Sequence, residues 1–128
     1  MNQPMLKGVR VLDLTNVLSG PFATLHLALL GAEVIKIENP KDGDLARKLG
    51  ILPQLNEQLM GTSFLAQNAN KKSVTLNLKP AEGKAVLKRL VETADVLVEN
   101  YRPDVMDRLG LGYATLSAIN PRLIDCGI

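Results

Sequence analysis

The run Asn16-Val17-Leu18-Ser19-Gly20-Pro21 joins one apolar segment to another, and its small and polar residues are the first place where chemistry can happen. If a strand precedes it and a helix follows, the run lies at a strand's carboxyl end, with free helix N–H groups facing an anionic ligand. The spacing is not Gly-x-Gly-x-x-Gly and carries no Walker lysine, so a dinucleotide or nucleotide phosphate turn is poorly supported. Ser19 lacks a Gly-x-Ser-x-Gly elbow and reads as a helix cap rather than a nucleophile. A second cluster, Asn68-Ala69-Asn70-Lys71-Lys72-Ser73, reads as a solvated loop, although its asparagines and lysines can also hold phosphate. A third, Glu99-Asn100, closes a short apolar run, with Lys79, Arg102 and Arg108 as a candidate cationic rim. Arginine suits phosphate because its planar fork makes paired, charge-assisted bonds; taken singly, each of the three is a surface charge. His26 reads as a partly buried structural histidine, and Cys126, with no histidine to activate it, as an inert strand cysteine. No catalytic residue and no metal-ligand set emerge.

These groups need elements to position them. Residues 9–14 read as a strand, the helix after Ser19 ends at Gly31, and residues 33–38 form a second strand. A polar loop covers 39–44; 45–67 are ambiguous, with a helical turn at 45–49 and a short helix or surface loop at 55–65. The alternation of 73–78 predicts a strand. Pro80 and Glu82 suit the first turn of a helix reaching about Thr93, with Ala85, Val86, Leu87 and Leu90 as its apolar face. A buried strand at 96–99, short helices at 103–109 and 113–119, and a last strand at 123–128 complete the pattern. Strand alternating with helix gives an α/β, Rossmann-like fold: a mostly parallel sheet with flanking helices. The last strand has no covering helix after it, so residues 1–128 read as an incomplete, truncated domain, a fragment of a larger protein, with self-association expected.

Composition narrows the function. The chain has 128 residues, sufficient for one domain, and 46% of them are hydrophobic but only 3% aromatic, so the core is aliphatic. A formal charge of +2 and the lack of stacking aromatics argue against nucleic acid. One cysteine excludes an internal disulfide and implies a reduced, cytoplasmic setting. No secretory signal is evident, and the apolar stretch 22–30 is too short to span a bilayer, so no membrane partner is expected.

Read together, several stretches resemble the class III CoA-transferase family, which includes formyl-CoA transferase, carnitine CoA-transferase, the bile-acid-inducible protein F group and α-methylacyl-CoA racemase. They are Leu6-Lys7-Gly8-Val9-Arg10-Val11-Leu12-Asp13-Leu14, Ser19-Gly20-Pro21, Leu30-Gly31-Ala32-Glu33-Val34-Ile35-Lys36-Ile37-Glu38, Asn70-Lys71-Lys72-Ser73, Ala94-Asp95-Val96-Leu97-Val98-Glu99-Asn100-Tyr101-Arg102-Pro103, and residues 116–123. They cover nearly the whole chain in the family's order.

The resemblance implies transfer of coenzyme A between an acyl-CoA and a carboxylic acid acceptor, with CoA as substrate and no tightly bound cofactor. It implies an aspartyl thioester intermediate. The family's nucleophilic aspartate has no match here, so it is expected beyond Ile128 and the chain alone is expected to be inactive. The resemblance places Asn16, Val17, Leu18 and Ser19 beside the thioester and pantetheine arm. Asn16 and Leu18 stand where the formyl-CoA branch carries histidine and glutamine. Asn39 stands where several relatives carry an arginine near the adenosine. Leu76 and Lys79 match positions at the adenine and phosphates, and Asn100, Tyr101, Arg108 and Leu109 match further CoA contacts, Arg108 as the phosphate partner. A homo-oligomer is implied, interlocked only if a returning C-terminal segment is present. An acyl-CoA racemase and a non-catalytic nucleotide-binding or scaffold module are the alternatives.

Overall fold

The computed structural model describes residues 3–128, so the N-terminal stretch read for a signal lies partly outside it. Strands β1 (Arg10–Asp13), β2 (Glu33–Glu38), β3 (Lys72–Thr75), β4 (Val96–Glu99) and β5 (Ile124–Gly127) form one sheet in the order β3-β2-β1-β4-β5. Every pairing is parallel. The order reverses between β1 and β4, and that switch point is where doubly wound sheets open a crevice at their carboxyl edge. The α/β expectation holds, and the sheet is wholly parallel.

The helices are α1 (Ser19–Leu29), α2 (Pro53–Glu57), α3 (Thr62–Asn68), α4 (Ala81–Val91), α5 (Val105–Arg108) and α6 (Tyr113–Ile119), with a 3-10 turn at Leu45–Lys48. The ambiguous 45–67 segment is therefore the 3-10 turn and two short helices. Strand alternation sends Leu12, Leu14, Ile37 and Leu97 to one face, where they meet Leu87 and Val91 of α4 and Leu116 of α6. The opposite face gathers Val11, Val34 and Val98 against Ala28 of α1. The apolar face of α4 lies over Leu87 and Val91 rather than over Ala85 and Val86, both of which are exposed.

Strand β3 stops at Thr75 rather than at 78, because its ladder partner β2 ends at Glu38. One further bond, Leu76 N–H to Glu38 O at 2.8 Å, follows before Leu78 turns into the core. The alternation in 73–78 thus outran the available partner.

Helix α1 is built the opposite way from an ordinary surface helix. Its inward stripe is Gly20, Pro21, Thr24 and Ala28, all small. Its large residues Phe22 and Leu29 point outward, 53% and 63% exposed. His26 is exposed too, packing edge-to-face on Phe22 at 4.5 Å, which corrects the partly buried reading. The helix ends as expected, with Gly31 at φ +102°, a conformation that glycine adopts freely. Among the described residues no helix is long and apolar enough to cross a membrane.

Candidate functional site

At the switch point the chain leaves β1 and is seized from several sides. Leu14 N–H donates to Val98 O of β4 (2.8 Å). Asn16 N–H donates to Asn100 Oδ1 (2.9 Å), and Asn100 Nδ2 returns a bond to Asn16 O (2.8 Å). Val17 follows at φ 73°, an outlying conformation for a β-branched residue. Oriented so that donors face acceptors, the Gln67 carboxamide donates to the carbonyls of Val17 (2.9 Å) and Leu18 (3.0 Å). Leu18 occupies the cap position of α1, which has no side-chain cap bond. Ser19 is the first helical residue, so the reading of Ser19 as a cap is corrected. Gly20 is needed here: a Cβ would sit 2.3 Å from that of Thr15.

Beneath this turn lies a buried charge cluster. Asp13 and Lys36 are register partners on β1 and β2. Asp13 Oδ1 accepts from the Thr15 N–H and hydroxyl; Oδ2 accepts from the Thr24 hydroxyl (2.7 Å) and Lys71 Nζ (2.9 Å). Lys71 also donates to Pro21 O (2.9 Å), to Thr24 Oγ1 and to Asn68 Oδ1 (both 2.8 Å). Its side chain is 1% exposed, so the solvated-loop reading of 68–73 fails at Lys71. The loop curls back over α1 and delivers the ammonium to a carboxylate already buried. Burial works to raise the Asp13 pKa, but the Lys36 and Lys71 charges and two threonine hydroxyls outweigh it and hold the carboxyl below its usual range. Burial pushes the Lys71 ammonium below its usual value despite Asp13.

A groove of about 220 Å³ opens over the carboxyl ends of β2 and β3, lined by Asn39, Leu76, Lys79, Tyr101, Val105 and Leu109 among others. Burial raises the Tyr101 hydroxyl's pKa, helped by the charge of Glu99, whose Oε2 accepts the Tyr101 N–H at 2.7 Å. Glu38 ends β2 at the groove floor. It accepts Arg47 Nε (2.7 Å), Arg47 Nη2 (2.8 Å), the Ser73 hydroxyl (2.6 Å) and Asp44 N–H (3.0 Å). Burial would raise its pKa, but those bonds and the Arg47 charge bring it down to about 2. Arg47 in turn lies over the Phe64 ring at 3.8 Å. In dinucleotide folds a carboxylate after the second strand binds ribose hydroxyls. All four acceptor positions of Glu38 are occupied here, so it has none to offer a ribose.

The structure thus brings Asn39, Leu76, Lys79, Tyr101 and Leu109 to one groove, and ties Asn16 to Asn100 at the switch point beside it. Val17, Leu18 and Ser19 lie exposed in the intervening turn. Arg108 is exposed on α5, its Nε 3.4 Å from Asp104 O, and is not among the groove-lining residues. Among the described residues no aspartate lines the groove. Sequence reasoning passed over Lys36, Glu38 and Asp44, and took Lys71 only as a loop or phosphate-holding lysine. A signal existed: strands of a parallel sheet are covered on both faces, so Lys36 and Glu38 inside one must be buried and partnered.

A doubly wound parallel sheet, with a groove beside its switch point and no glycine fingerprint, defines an α/β domain of a kind other than dinucleotide-binding. The family model described as CoA-transferase family III matches residues 6–128, and the chain belongs to that family. It is 49% identical over 123 residues to mouse succinyl-CoA:glutarate CoA-transferase, covering 96% of this chain and 28% of the relative. It is 46% identical over 120 residues to Escherichia coli formyl-CoA:oxalate CoA-transferase, covering 93% and 28%. The crystal structure of a CAIB/BAIF family protein from Brucella suis superposes with a TM-score of 0.87 at 36% identity, over 98% of this chain and 33% of that one. The chain therefore spans roughly 30% of the length of its relatives.

Proposed function

We propose that this chain is the N-terminal CoA-binding domain of an enzyme moving coenzyme A from an acyl-CoA to a carboxylic acid. The groove carries the reading: Leu76, Leu109 and Tyr101 give it apolar walls suited to an adenine, and Lys79 gives it a cationic rim. Asn39 and Asn100 add polar contacts at the groove and the switch point. Arg108, exposed on the neighbouring helix, is the phosphate partner. The turn 16–19 lies at the same carboxyl edge, where the pantetheine arm and thioester run.

In the chemistry proposed for the whole enzyme, a carboxylate attacks the thioester carbonyl, the CoA thiolate leaves and a mixed anhydride forms. The thiolate then attacks the anhydride, expels the first acid and leaves an enzyme thioester. The carboxylate is an aspartate supplied from outside these 128 residues. Asp13 and Asp44 are both fully buried in ion pairs, which closes them to a role as the attacking group. The relatives' names span dicarboxylate, oxalate and formate chemistry, and Asn16 with Leu18 at the reacting end favours an acceptor other than oxalate.

Calorimetric titration of the chain with CoA, dephospho-CoA and NAD tests the reading. CoA should bind best, dephospho-CoA more weakly for want of the phosphate, and NAD not measurably. Equal binding of NAD and CoA, or no binding of CoA, overturns it.

A further inference from the structure

Val17 holds a left-handed backbone that a β-branched residue does not take unaided. Its carbonyl is held by Gln67, and its N–H is held by Asp44, fully buried and 27 residues away in sequence. Asp44 Oδ1 accepts the Val17 N–H at 3.0 Å and the Ala46 N–H at 2.9 Å, the second bond capping the 3-10 turn. Asp44 Oδ2 lies 2.9 Å from Lys36 Nζ, at ion-pair distance but without the alignment of a hydrogen bond. Lys36 Nζ donates instead to Thr15 O at 2.7 Å. The pair therefore grips the chain at Thr15 and at Val17, on both sides of Asn16, whose own N–H and carbonyl belong to Asn100. On its other side, Asp44 N–H donates to Glu38 at the groove floor. One buried carboxylate thus joins the turn to the groove.

We infer that Asp44 is a positioning residue for the CoA site: charged and pinned by Lys36, it fixes Val17 left-handed and so aims the exposed Val17–Ser19 turn along the path of the pantetheine arm. This rests on the CoA reading above. Asp44 touches no ligand itself, being fully buried. Its effect on binding passes through the conformation of residue 17, and that makes the role separable from simple support of the fold. Glycine takes positive φ without steric cost. Val17→Gly should therefore supply much of what Asp44 supplies, which no general loss of stability would allow.

The test uses the whole chain, isotopically labelled, as parent, Asp44→Ala, Asp44→Asn, Val17→Gly and the two double variants with Val17→Gly. Amide exchange and the HN–Hα coupling at residue 17 report the turn, and calorimetry reports CoA affinity. Asp44→Ala should expose the residue 17 amide to exchange and weaken CoA roughly 10-fold or more, as expected when a bond to a charged acceptor is lost. Asp44→Asn, which keeps an oxygen but loses the pull of Lys36, should fall between. Adding Val17→Gly should restore most of the affinity in both backgrounds. If Asp44→Ala does not fold, the Asp44→Asn pair carries the same comparison. Unchanged exchange and affinity on loss of the carboxylate, or failure of glycine to rescue a folded variant, overturns the inference. A parent chain that does not bind CoA overturns the CoA reading instead, and exchange at residue 17 then decides alone whether Asp44 holds the turn.

Discussion

Asn16 and Asn100 bind one another twice, backbone to side chain in both directions, at 2.9 and 2.8 Å. The carboxamide of Asn100 has one acceptor and one donor edge, and the backbone of Asn16 offers the complementary pair. The two ends of β1 and β4 are thereby closed across the switch point. Aspartate at 100 would keep the acceptor and lose the donor; alanine would lose both. Asn100→Ala should destabilise the chain by about 1–3 kcal/mol, the range for leaving partly buried backbone groups unpaired. Asn100→Asp should cost less. Urea unfolding followed by circular dichroism measures both, and equal stability of all three proteins would show the lock to be idle.

Arg108 carries the phosphate assignment on an exposed side chain with one long bond of its own. A charge-assisted bond contributes roughly 1.5–3 kcal/mol, so Arg108→Ala should weaken CoA binding about 10- to 150-fold. Arg108→Lys should recover only part, the fork being lost. Lys79→Ala should cost less than Arg108→Ala, because a solvated ammonium contributes little. Dephospho-CoA should not distinguish parent from Arg108→Ala if the phosphate is the partner.

Lys71 and Asp13 form a buried ion pair, side chains 1% and 0% exposed. Removing one partner strands the other charge, which typically costs about 3–5 kcal/mol. Lys71→Met should unfold at much lower urea than the parent, and Asp13→Asn added to it should recover part of the loss. A non-additive double-mutant cycle is the expected signature; simple additivity would count against the pair.

The acid limb of stability should belong to Glu38 and Asp13. Glu38 has a folded pKa of about 2 against an ordinary 4.5. Asp13 is shifted in the same direction. A carboxyl depressed by folding contributes stability that is whole above its unfolded pKa and drains as pH falls through the folded one. Stability should therefore hold above about pH 5 and decline between about 4.5 and 2, with Glu38 contributing roughly 3 kcal/mol of the change. Glu38→Gln should lower stability at neutral pH and flatten that limb. An unchanged limb in chemical denaturation across pH would assign the acid sensitivity elsewhere.

The outward face of α1, with Phe22, Leu29 and Leu30 exposed by 53%, 63% and 42%, is too apolar to stay solvated at high concentration. The chain should self-associate as concentration rises in sedimentation experiments. Phe22→Glu with Leu29→Glu should shift it toward monomer, since these side chains support none of the core. A parent that stays monomeric throughout would leave this face to some other covering.

Strand and helix order, the parallel sheet and the family were legible in the sequence, because apolar periodicity reports which residues face a core and short motifs survive without their surroundings. Strand β2 and helix α6 fall where their patterns end, at 33–38 and 113–119, since both patterns stop where the hydrogen-bonded ladder or helix does. The groove residues Leu76, Tyr101 and Leu109 were nameable only through resemblance, and Lys79 otherwise only as one of three candidate rim charges; nothing local distinguishes them from core or surface. What tertiary structure alone decided is the polar side of the sheet. Lys71 looks solvated beside Lys72 until the loop folds over α1 and sets its ammonium on Asp13. Asp44 is one acidic residue in a polar loop until β2 and the β1–α1 turn close around it. Partners 27 and 58 residues apart leave no local pattern, because a buried charge is specified by whatever the fold brings to meet it.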